Sequence, residues 1–291
     1  MTAAISVDQV AVAAYHALRA KARAEHGGNT QPLLVVYAVE SFLRRLAVSE
    51  YAERMVLKGG MLMAANSIRS MTRDADLSAR RLPNDEEHVC AVVAAICEIE
   101  PEPHDGVAID PASIRTEAMR AGDVYQGVRC KQVAALGRAQ IPFALDLSFG
   151  DPTEATMIEL ESIIDRAPVR LAAYPLALNL AEKVVTAMQR RETNTRDRDF
   201  ADLWVASRRH LDATDLRRHV LAIASHRGQQ LIPLAEALAD MPDRQQPYAA
   251  MVARMSYLTP PPERWSDLIA DVVAFVDPLL VEGERQTRKL S

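Results

Sequence analysis

Every strand-like stretch of this chain lies before residue 174, and everything after Pro175 repeats its apolar residues at helical spacing. That division constrains the fold most, because a sheet and a helical bundle bury their apolar faces in different ways and each needs its own core. Leu176 to Arg190 reads as one helix and Asp197 to Arg209 as another. The rest reads as several more, broken at Pro242-Asp243, Pro247 and Pro260-Pro261-Pro262, since proline ends or kinks a helix. Ahead of the division, Val7 to Ala24 is a predicted helix stopped by Gly27-Gly28-Asn29. Leu33 to Leu46 is a second helix and Glu50 to Arg54 a short third. The character changes at Met55 to Gly60. Strands are predicted at Ala75 to Ser78, Ser113 to Met119 and Val169 to Ala173. Val124 to Ala135 and Ile141 to Phe149 are read as the arms of a hairpin joined through Gly137-Arg138-Ala139-Gln140. Asp85 to Glu98 is a helix, and Pro101 to Gly106 a loop. The predicted class is α+β: a mixed β-sheet domain with N-terminal helices over 1–174, then an all-helical domain over 175–291.

Aromatic residues make up only 5% of the 291, so Ala, Leu and Val must fill the cores, a mix that favours helices. The net charge is −5, which excludes the whole-protein basic field of an indiscriminate nucleic-acid binder but not a local basic groove. Cys90, Cys97 and Cys130 form no CxxC pair. They read as reduced, buried thiols, with Cys90 and Cys97 on one helix face. The N-terminus has no signal-peptide pattern and no apolar run has the length of a membrane span, so a cytoplasmic protein with no membrane partner is expected.

Four segments carry candidate chemistry. In Lys58-Gly59-Gly60 the paired glycines let backbone N–H groups approach a ligand, and a helix opening there would favour phosphate. Next comes Thr72-Arg73-Asp74-Ala75-Asp76. On a strand, residues two apart share a face, and two carboxylates so close repel unless a cation lies between them. Magnesium takes such hard oxygen ligands. Asp146 interrupts the apolar strand Ile141 to Phe149. A carboxylate there is costly to bury without a partner, and it is either a third metal ligand or a residue on the solvent face of an edge strand. The third segment is Glu182-Lys183 inside an apolar helix, where Lys183 is either solvated or a point-charge clamp for a triphosphate. In the fourth, Arg196 to Trp204, Asp199 and Asp202 are three apart and share a helix face; a solvated charge cluster is the competing reading.

In this order, these segments resemble the AbiEii/AbiGii toxin family of nucleotidyltransferase-like proteins, with the resemblance running from about Val36 to Trp204. The carrying residues are Lys58-Gly59-Gly60-Met61, Thr72 to Asp76, Tyr174-Pro175 with Ala181-Glu182-Lys183, and Arg196 to Asp202. The resemblance implies a toxin of a toxin–antitoxin pair, with a cognate antitoxin encoded nearby. It implies a nucleoside triphosphate, with a pyrimidine suspected, and Mg2+. It also implies transfer of nucleotides to the 3′ acceptor end of tRNA, which blocks aminoacylation and translation. By position it makes Asp74, Asp76, Lys183 and Asp202 catalytic, and makes Asp74, Asp76 and Asp146 metal ligands. Lys58, Gly59, Gly60, Thr72 and Lys183 become nucleotide-binding, and the helical domain contributes Lys183 and Asp202 to the active-site cleft. Met61 stands where the family has Thr or Ser, and Arg198 where it has Lys. Thr72 is a candidate phosphorylation switch, because a phosphate there would add about −1.5 to −2 charge beside two aspartates. Two alternatives stay open: a nucleotidyltransferase acting on a protein or a small molecule such as an antibiotic, and a non-catalytic nucleotide-binding regulator.

Overall fold

The computed structural model describes residues 6–69, 72, 74–119, 127–152, 154–255 and 257–287. Arg73 and the start of the predicted hairpin arm, residues 124–126, lie outside the described residues. The chain divides into two compact units, residues 1–65 with 71–173, and residues 66–70 with 174–291.

The first unit opens on α1 (Val7–Glu25). Ser6 caps it, accepting from the Gln9 N–H while the Gln9 side chain accepts from the Ser6 N–H, the reciprocal pairing that satisfies two otherwise orphaned donors. Helix α2 (Gln31–Val48) is buried along almost its whole length. Its charged residues are therefore paired: Glu40 accepts from Arg44, Ser162 and the Ile163 N–H, and Arg45 donates to Asp105 and to the Val107 carbonyl. Residues 50–54 are turns rather than the predicted third helix. Ser49 Oγ accepts from the Tyr51 N–H and donates to the Leu46 carbonyl, which folds the chain back directly after α2.

An eight-stranded mixed sheet follows: β1 (Met55–Lys58), β2 (Asp74–Ala79), β3 (Val107–Ile109), β4 (Arg115–Met119), β5 (Gly127–Leu136), β6 (Ala139–Phe149), β7 (Thr156–Leu160) and β8 (Val169–Ala173). The order is β3-β5-β6-β2-β1-β8-β7, with β4 on β5. Strands β1, β3 and β7 are short and were not predicted; with three to five residues each they show too little alternation to be read. Helix α3 (Gly59–Ala65) joins β1 towards β2, and α4 (Glu86–Cys97), capped by Asp85, lies between β2 and β3. The β5–β6 hairpin turns on two residues, Gly137 and Arg138, since Leu136 already pairs with Ala139. Gly137 has φ +57° and Arg138 is not left-handed, the type II′ pattern with glycine at its first central position.

One face of the sheet is apolar. Leu57, Ala75, Leu77, Cys130, Leu145 and Leu147 are all buried, and α2 and α4 pack on strands of this sheet. Each of the four leucines contributes about 1.5–3 kcal/mol by leaving water. Cys97 and Cys130 are buried and Cys90 half-buried, all three free. Burial pushes the Cys97 and Cys130 thiols up to about 12, so both stay protonated.

The second unit holds α5 (Leu176–Arg190), α6 (Asp197–Ser207), α7 (Ala213–His226), α8 (Leu234–Ala237), α9 (Gln245–Val252) and α10 (Trp265–Thr287). Phe200 meets Trp265 edge-on at 5.4 Å and Tyr248 packs on the same indole, tying α6, α9 and α10 together. Arg244 holds Asp197 with two hydrogen bonds of 2.7 and 2.8 Å. No helix among the described residues is long and apolar enough to cross a membrane.

Candidate active site

The face of the sheet opposite the core carries a charged row set by strand register. Lys58 on β1 pairs with Asp76 on β2, Asp76 with Asp146 on β6, and Asp146 with Arg129 on β5. Directly paired residues point to the same side of a sheet, so one cation, two carboxylates and a second cation line up across four strands. Asp74 lies two residues before Asp76 on the same face, opposite Ala144. The structure thus brings Asp74, Asp76 and Asp146 together on neighbouring strands.

Asp76 is the tightest member. Its Oδ2 accepts from the Gly60 N–H at 3.2 Å. Gly59 sits at φ +62°, and a Cβ there would overlap the Asp76 carboxylate. The Gly59-Gly60 turn therefore closes over a carboxylate: the Gly60 N–H expected to face a phosphate is directed at Asp76. Burial pushes the Asp76 carboxyl above its usual range. Asp74 pushes it further and so does Asp146, while the Gly60 N–H and Lys58 oppose the rise. A carboxylate in that position gains from a cation. The donor set, two carboxylates of hard oxygen, suits magnesium.

Asp146 differs. Arg129 donates Nε–H to Oδ1 at 2.7 Å and Nη2–H to Oδ2 at 2.6 Å. Among the described residues no three His, Cys, Asp or Glu side chains converge to enclose a metal ion. The guanidinium gains in turn: its hydrogen bonds to Asp146 raise its pKa. Thr72 is buried, and its hydroxyl donates to the Asp74 carbonyl at 2.8 Å. Met61 is 1% exposed, so the side chain standing where a hydroxyl was expected is a core residue.

The second unit has its own cluster. Lys183 on α5 is buried, with its ammonium 2.5 Å from Asp199 Oδ1 and 3.1 Å from Asp202 Oδ2, both on α6. Arg69 Nε lies 3.3 Å from Asp202 Oδ1, and Arg196 Nε is 2.5 Å from Asp199 Oδ2. Burial opposes charge on Lys183 and Asp199, but the partners win. Lys183 and Arg196 hold Asp199 down at about 2, and the two aspartates raise Lys183 despite its desolvation. Arg208 and Arg209 are engaged within this unit. Arg208 reaches Asp271 and lies over Trp204, and Arg209 donates to the carbonyls of Asn66 and Ser67.

Arg129, Arg69 and the pairing of Asp199 were not anticipated. Arg129 was within reach of the sequence, because the hairpin register fixes its partner. Arg69 lies in a short segment with no periodic signal.

A mixed sheet with paired aspartates on a central strand, a glycine turn packed against them, and a helical unit behind it in sequence is the architecture of a nucleotidyltransferase. The family model described as nucleotidyl transferase AbiEii toxin, type IV toxin–antitoxin system, matches residues 41–271. The chain belongs to this family of nucleotidyltransferase toxins. Among solved structures it is similar to MenT4, a nucleotidyltransferase toxin from Mycobacterium tuberculosis H37Rv, at 18% identity and TM-score 0.52, covering 92% of this chain and 89% of MenT4. A Helicobacter pylori chain matches at 14% identity and TM-score 0.49, over 90% of this chain and 98% of its own. JHP933 from the same organism matches at 13% and 0.47, over 89% and 95%. At 18% identity the likeness to MenT4 is one of fold. No curated protein matches the sequence.

Proposed function

We propose that this toxin transfers a nucleotide from a nucleoside triphosphate to the 3′ acceptor end of tRNA in the cytoplasm, blocking aminoacylation and translation, and that a cognate antitoxin restrains it. The observation that carries the metal-dependent chemistry is the row on the sheet. Asp74, Asp76 and Asp146 share one face of adjacent strands, and Asp76 is pushed up by burial and by the other two. The tRNA acceptor, and a pyrimidine as the nucleotide, rest on resemblance to the family.

In this reading Asp74 and Asp76 hold Mg2+, with Asp146 in the place of a third carboxylate. An ion held there would supply positive charge for the triphosphate and acceptor oxygens. The chain's own contribution is positioning. The Gly60 N–H fixes one oxygen of Asp76, and the absence of a side chain at Gly59 leaves room for that carboxylate. Lys58 adds a positive charge at the end of the row nearest the glycine turn. Lys183 has three N–H donors and two nearby carboxylates, so one donor remains to serve as a phosphate clamp. Asp202, and Asp199 beside it, keep that ammonium charged and aimed. Phosphorylation of Thr72 would require its buried hydroxyl to leave the Asp74 carbonyl, which would disturb the segment leading into the aspartates.

The test is incubation with each labelled NTP, magnesium and total tRNA, comparing wild type with Asp74→Ala. Label is expected in tRNA with the wild type alone. Label in protein or in a small molecule instead would overturn the acceptor, and equal labelling by both proteins would overturn the metal assignment. A Thr72→Glu variant that kept full toxicity would remove the switch.

A further inference from the structure

The charged row contains a cation that the family resemblance does not assign. Arg129 touches both oxygens of Asp146 at 2.7 and 2.6 Å, in the fork-to-fork geometry that gives arginine–carboxylate pairs their directionality. Arg129 also has an alternative partner. Glu117 on β4 pairs with it from the other side, but Glu117 is engaged by Lys131 at 2.8 Å. Arg129 is therefore committed to Asp146. The Asp146 side chain is 13% exposed, so little water competes for it.

We infer that Arg129 stands in for a second divalent cation at Asp146, so that the site binds one metal ion, on Asp74 and Asp76, rather than two. This rests on the proposed reading of that pair as the metal site. The charges support it. Among Asp74, Asp76, Asp146, Lys58 and Arg129 the carboxylates outnumber the cations by one, while Glu117 and Lys131 on the same face pair with each other. One divalent ion turns that excess positive. A second would have to enter beside a guanidinium already in contact with both Asp146 oxygens, where like charges repel. The geometry agrees, because Asp146 faces Arg129 and does not complete a three-carboxylate enclosure with Asp74 and Asp76. Arg129 is thus a positioning residue that sets the metal count and leaves the incoming triphosphate to meet one protein-held ion and one fixed organic cation.

The experiment counts Mn2+ bound per full-length chain, by the electron paramagnetic resonance of the free ion during titration. Wild type is expected to bind one ion. Arg129→Met, which takes the guanidinium away from both Asp146 oxygens, is expected to bind two. Arg129→Lys, which restores a positive charge, should return the count to one. Asp146→Asn should still bind one, and it keeps the question answerable if Arg129→Met does not fold. Two ions on the wild type, one ion on folded Arg129→Met, or loss of the single ion in Asp146→Asn would each overturn the inference while leaving Asp74 and Asp76 as a metal site. No ion on the wild type would overturn that site and the inference together.

Discussion

On the sheet, three carboxylates face two cations, lie partly buried and outnumber those cations by one; in the helical unit, two carboxylates are closed in by Lys183, Arg69 and Arg196 and are buried. The residue types are the same. What differs is how many partners the local fold supplies. A strand presents its neighbours at fixed register, so Asp76 meets another aspartate whether or not that is favourable. Helices α5 and α6 meet side chain to side chain, and every charge there finds its opposite. A deficit of positive charge marks a place built to receive a cation, whereas a buried cluster whose carboxylates are outnumbered by cations, three to two, holds its own shape.

The native probes separate the two regions. Both tryptophans, Trp204 and Trp265, lie in the helical unit, and all three cysteines lie in the sheet unit. The largest expected effect falls on the sheet. Asp76→Ala should lower nucleotidyl transfer by roughly a thousandfold or more, about 4 kcal/mol of barrier, without loosening thiol protection at Cys97 and Cys130. A variant that lost thiol protection in step with activity would erase the distinction.

Lys183→Met should act the other way round. It removes the ammonium that two buried carboxylates share, leaving each with one arginine, and is expected to cost about 3 kcal/mol of stability, read as an earlier tryptophan unfolding transition. Asp199→Asn in the same background should recover part of that loss. Independent, additive losses would mean that the pair is not coupled.

Gly59→Ala should cost on the order of 2 kcal/mol, because the new methyl group overlaps the Asp76 carboxylate at a left-handed backbone position. The loss should shrink when Asp76 is replaced by Ala. An undiminished loss would place the strain elsewhere in the turn.

Acid should drive the two regions in opposite directions. Asp199 titrates at about 2 in the fold against an ordinary 3.8, so its stabilisation is complete above about pH 4 and is lost as pH falls towards 2. Asp76 is raised, so its ionised form costs stability at neutral pH and protonation on acidification removes that cost. Thiol protection should therefore improve on moving from pH 7 down towards the carboxylate range, while tryptophan emission holds steady until below pH 4. The smallest effect is a gain of about 1 kcal/mol in the sheet unit on adding a divalent cation at a few times its dissociation constant, and this gain should disappear in Asp76→Ala.

The long elements and the charged motifs were legible because their signals are local. Ser6, Gly27-Gly28 and Asp85 mark helix ends, and the alternation in Ala139 to Phe149 runs long enough to show a strand. Asp74 and Asp76 could be placed on one face from spacing alone. Their surroundings depended on register, which a single misjudged turn shifts. A connection through Gly137 to Gln140 would pair residue 136 with 141 and so set Asp146 opposite Lys131; the two-residue turn sets it opposite Arg129. The Lys183 cluster was harder to read, because Arg69 comes from a segment more than a hundred residues earlier and no spacing rule links it to α6.

Strand β2 lies inside the sheet, bonded to β6 along six residue pairs and to β1 along four. Its amides can exchange with solvent only when a neighbouring strand lets go. Asp74 and Asp76 therefore ride on a slowly exchanging part of the chain. The entropy of bringing two like charges side by side is spent during folding, long before any ion arrives, and the ion meets a pair that has no slack left to lose.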